Sequence, residues 1–70
     1  MKQAIVQNIA RQVNDFSTCH PVDDVDFNCL DDALSTYQNN YTEYAKSRLQ
    51  AVYTQFCDKY GLTKDIRLYQ

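Results

Sequence analysis

The sequence predicts an all-α protein, a small three-helix bundle with a short C-terminal tail. Three observations carry that reading: apolar residues recur at helical spacing in three stripes, the run from residue 22 to 60 holds neither glycine nor proline, and the one proline (Pro21) and one glycine (Gly61) fall between or after the stripes.

The first stripe is Ile5, Ile9, Val13 and Phe16, with Val6 and Ala10 beside it, and it predicts an amphipathic helix over about 3–16 that ends near Ser17. From Ser17 to Asp26 the period vanishes. Pro21 cannot sit in a helix interior and pushes His20 toward extended backbone, so this stretch reads as a connector.

The period returns at Phe27, Leu30, Leu34, Tyr37 and Tyr41, predicting a second helix over about 26–39. Asp23, Asp24 and Asp26 stand before it, where carboxylates cap free backbone N–H groups and suit the positive end of the helix dipole. A third stripe, Tyr41, Ala45, Leu49, Val52, Phe56 and Tyr60, predicts a helix over about 41–60, closed by Gly61 as a left-handed cap. Leu62, Ile66, Leu68 and Tyr69 give the remaining residues, 62–70, enough apolar character to fold back on the bundle.

The joint at Asn39-Asn40 decides the architecture. Asn40 and Glu43 have the spacing of a capping box, which favours a restart at Tyr41. The alternative is a helical hairpin with one long helix over 26–60, a rod of about 50 Å whose uncovered seam would oblige it to dimerise.

A chain of 70 residues makes a single domain, 1–70, and buries only about 60% of its unfolded surface, so its stability is marginal or shared with a partner. Apolar residues at 44% and charged residues at 23% suit a folded globule. The N-terminal stretch lacks an apolar signal core, and no run approaches the roughly 18 apolar residues of a membrane span, so a cytoplasmic protein with no membrane association is expected. Cys19, Cys29 and Cys57 are an odd number and are expected to be reduced, with a Cys19–Cys29 bridge as the minor alternative.

The net charge of −2 divides unevenly: residues 1–45 carry −5 and residues 46–70 carry +3. That polarity suits steering toward a charged partner or self-association, including a homodimer. A nucleic-acid-binding helical protein, using Lys46, Arg48, Lys59, Lys64 and Arg67 as a dimer, is the alternative; a pI near 5.0 disfavours it.

No catalytic or cofactor signature is present. Cys19, His20, Cys29 and Cys57 are zinc-type ligands without zinc-type spacing, and the aspartates lack the order of a calcium loop. With no Gly-rich phosphate loop either, neither enzymatic activity nor a metal or cofactor is expected. The six tyrosines, in so small a core, are expected to keep their rings half buried and their hydroxyls in water, as interface residues do.

At 100° per residue, Tyr44, Arg48, Gln55 and Lys59 share one flank of the third helix beside its buried stripe. Arg and Tyr are common binding anchors, which makes this flank the first candidate partner surface and the Asp23, Asp24 connector the second. The expected function is that of a non-enzymatic protein–protein interaction protein of inhibitor or adaptor type, a size class common among phage and mobile-element products.

Overall fold

The computed structural model describes residues 2–70 and shows a three-helix bundle: α1 (Lys2–Cys19), α2 (Asp24–Asn39) and α3 (Glu43–Tyr60), followed by a 3₁₀ turn, Ile66–Tyr69. Antiparallel packing of α2 on α3 brings Asp26 to Lys59 and Asp32 to Arg48. Gln12 meets Tyr53 and Phe16 meets Tyr60, so α1 runs parallel to α3.

The first helix runs to Cys19, three residues past the expected residue 16. Ser17 and Thr18 turn their hydroxyls back to the Asn14 carbonyl, each at 2.9 Å, and the His20 N–H bonds the Phe16 carbonyl, so only the approach to Pro21 stops it. The second helix starts earlier than expected, at Asp24, because Asp23 is the cap: its backbone is extended and its carboxylate accepts the Val25 N–H at 2.8 Å.

A break, not a rod, joins α2 to α3. The expected Asn40–Glu43 capping box is not formed, and the third helix begins at Glu43 rather than Tyr41. Asn40 instead closes α2 through its N–H to the Thr36 carbonyl, and Thr42 caps α3 by accepting the Ala45 N–H on its hydroxyl at 3.1 Å. Tyr41 thereby leaves the expected apolar stripe and lies half exposed in the link, its ring 5.0 Å from that of Tyr37. Gly61 ends α3 in the left-handed region (φ 71°, ψ 32°), as the sequence predicts.

One core joins all the elements: Ile5, Ile9 and Val13 of α1, Leu30 and Leu34 of α2, Leu49, Tyr53 and Phe56 of α3, and Leu68 of the tail. Two tyrosines depart from expectation. Tyr37 and Tyr53 are buried, and Tyr53 is buried completely because its hydroxyl finds partners inside the fold: it donates to Gln12 Oε1 at 2.6 Å and accepts the Asp65 N–H at 2.9 Å. Among the described residues no helix is long and apolar enough to cross a membrane.

Candidate interaction flank on α3

Residues 44, 48, 55 and 59 of α3 form a row of about 22 Å at 1.5 Å per residue. Antiparallel packing lays this row along the edge of α2, where Asp26, Cys29 and Asp32 follow one another at intervals of three. Arg48 Nη2 reaches Asp32 Oδ2 at 2.9 Å, and Lys59 Nζ reaches Asp26 Oδ2 at 2.6 Å. Between the two ion pairs lies a shallow cleft of about 130 Å³, lined by Asp26, Cys29, Val52, Gln55, Phe56 and Lys59.

The row therefore differs from the basic stripe its sequence suggests. Each cation is neutralised by a carboxylate of α2, one of which, Asp26, the sequence offers only as a helix cap. Arg48 is held more firmly protonated by Asp32, and Lys59 by Asp26. Hydrogen bonds from Lys59 and then Tyr60 lower the Asp26 carboxyl below its usual range.

Tyr44 forms the end of the row next to Arg48, 76% exposed, the most exposed of the large apolar side chains among the described residues. It belongs to the first turn of α3, fixed by the Thr42 cap. Gln55 is also exposed and lines the cleft.

The two surfaces expected separately from the sequence meet at the Lys59 end. Tyr60 joins them: its hydroxyl accepts the Asp23 N–H at 3.1 Å and donates to Asp26 Oδ2 at 2.8 Å, so the connector and the flank share one polar junction. Asp24 lies exposed in the first turn of α2. Asp23 is committed to its cap, and Tyr44 stands at the opposite end of the row.

Asp26, Cys29, Asp32 and Tyr60 are the members that the flank assignment missed. Their signal was an acid at 26 and 32 facing a cation at 59 and 48, visible once α2 and α3 are laid antiparallel. The soft ligands disperse: Cys57 is a buried free thiol, Cys19 and Cys29 are exposed free thiols, and His20 stacks on Phe16 at 4.5 Å. Among the described residues no group of three or more His, Cys, Asp or Glu is placed to hold a metal ion.

The cations named for nucleic-acid binding are also committed. Lys64 pairs with Asp58 at 2.8 Å, Arg67 pairs with Asp65 at 2.7 Å, and Lys46 reaches the main-chain oxygen of Gln70 at 3.3 Å. No protein-family model, curated protein or solved structure matches this chain.

Proposed function

We propose that this chain is a small protein-binding module, acting without catalysis as an inhibitor or adaptor, and that its contact surface is the α3 flank of Tyr44, Arg48 and Gln55 with the Lys59–Asp26 junction at its far end. The observation that carries the reading is the pairing of an exposed aromatic anchor with charges already held in place. Tyr44 offers its ring to solvent from a capped helix turn, while Asp32 and Asp26 fix Arg48 and Lys59 before any partner arrives. Side chains ordered in advance lose less freedom on binding, which is how a small surface gains affinity.

A reducing compartment such as the cytoplasm fits two exposed free thiols at Cys19 and Cys29. The nucleic-acid reading is the weaker one, because Arg48, Lys59, Lys64 and Arg67 each face a carboxylate.

Affinity capture with the parent chain and with a Tyr44→Ala, Gln55→Ala double variant tests the proposal. A protein retained by the parent and lost by an equally stable double variant supports it. Equal retention by both, or salt-sensitive retention of the parent on heparin with no protein captured, overturns it.

A further inference from the structure

The segment after Gly61 is bound to the bundle as a peptide is bound in a groove. It turns back at the end of α3 and runs antiparallel to that helix, with α1 on its other side, and its anchor Leu68 is 1% exposed. Side chains of the helices hold its backbone. Gln12 Nε2 donates to the Thr63 carbonyl at 2.7 Å and Gln50 Nε2 to the Leu68 carbonyl at 2.8 Å.

Asp65 is the clasp. Its side chain is 8% exposed and accepts from Asn8 Nδ2 at 3.0 Å, from Arg67 Nη2 at 2.7 Å and from Arg67 Nε at 3.0 Å, while its own N–H donates to the Tyr53 hydroxyl. Tyr69 completes the path, its hydroxyl 2.6 Å from that of Thr54.

Nothing in this set of contacts requires the tail and the groove to belong to one chain. The groove reads the tail through side chains of α1 and α3, and the covalent link between them is one tight turn at Gly61, left-handed and closed by the Gly61 and Leu62 N–H groups on the Cys57 carbonyl, so exchange has only this turn to open. A second copy presents an identical tail, so it can satisfy every contact in turn.

We propose that the α1–α3 groove is a self-association site, in which the tail of one copy replaces the tail of a second and the exchange is reciprocal across a two-fold axis. Such exchange creates no new interface chemistry, since each copy regains the contacts it gives up. Closure within one chain dominates in dilute solution because the tethered tail has a high effective concentration, and exchange takes over when copies open together at high concentration. This site is separate from the Tyr44 flank, so failure of either leaves the other standing.

The test uses the full chain with Asp65→Asn, which loosens its own tail and leaves the groove intact, and a fluorescein-labelled peptide of residues 62–70. Circular dichroism first establishes that the variant is helical, with Leu68→Ala as the substitute background if it is not. Anisotropy should rise saturably on titrating the labelled peptide with the variant chain. The parent chain, whose own tail competes, should bind it at least about tenfold more weakly, and a Leu68→Ala peptide should fail to bind.

The parent refolded at millimolar concentration should then give a dimer by light scattering that returns slowly to monomer on dilution. No anisotropy rise with a folded loosened chain overturns the proposal. Peptide binding by a parent that stays monomeric after concentrated refolding overturns self-exchange and assigns the groove to the tail-like segment of another protein.

Discussion

The hydroxyl of Tyr53 lies 2.6 Å from the side-chain oxygen of Gln12, a part-buried hydrogen bond between α3 and α1 made at the edge of the apolar core. The same hydroxyl receives the N–H of Asp65, so one oxygen ties together α1, α3 and the tail. Burial raises the phenol's pKa well above its usual value, and it remains a donor at any ordinary pH.

Tyr53→Phe keeps the ring and removes that oxygen, leaving Gln12 Oε1 and the Asp65 N–H without their partner. The expected cost is about 1–3 kcal/mol, the range for a polar group left unsatisfied on burial. Urea unfolding followed by circular dichroism measures it, and a change within error would mean that water replaces the hydroxyl.

Asp65 makes the tail acid-sensitive. Hydrogen bonds from Arg67, with a further one from Asn8, hold its carboxyl down from 3.8 to about 2, although burial opposes them. The folded state thus binds the proton more weakly than the unfolded chain, so the contribution of Asp65 to stability is complete above pH 3.8 and is lost as pH falls from 3.8 toward 2. The difference in stability between the parent and Asp65→Asn should shrink across that window in matched urea titrations. A difference that stays constant with pH would place the clasp elsewhere.

The α2–α3 link distinguishes two caps. Thr42→Ala should destabilise the protein by about 0.5–2 kcal/mol, the range for loss of an N-cap oxygen. Asn40→Ala should cost less, since Asn40 serves through its backbone N–H, which alanine retains. Thermal melts of the two variants provide the comparison, and the reverse order would restore the capping box suggested by Asn40 and Glu43.

Partner binding should depend on the Tyr44 end of the row. Tyr44→Ala and Arg48→Ala are each expected to weaken it about tenfold while leaving the helical spectrum intact, as truncation of an anchor does. Arg48→Ala also frees Asp32, so an Asp32→Ala control separates loss of the cation from loss of the ion pair. Isothermal titration calorimetry with the captured partner gives the affinities. Undiminished binding by both variants, together with its abolition by charge reversal at Asp23 and Asp24, would move the contact surface to the connector.

What the sequence disclosed follows from the range of the interactions involved. The apolar stripes, the Gly61 cap and an aspartate cap before α2 are local, so spacing along the chain reveals them. Tyr53 is different. Its burial depends on Gln12 and Asp65, one in another helix and one in the tail, and a period count has no means of supplying a hydrogen-bond partner from that distance. Arg48 and Lys59 were legible as flank residues, yet their neutralisation was not, because Asp32 and Asp26 join them only through the antiparallel turn of α2 on α3. At Thr42 the difficulty was competition: Asn40 and Thr42 are both good caps, two residues apart, and the link geometry selected between them.

Cys57 adds a consequence of its own. It is buried beside Tyr53 and next to the point where the tail departs, with its thiol pushed above its usual range by that burial, whereas Cys19 and Cys29 face solvent. An alkylating reagent will thus count the thiols in two instalments: two promptly, and the third only during moments when the interior is uncovered. The protein carries its own stopwatch for breathing, readable by mass spectrometry without any engineered label.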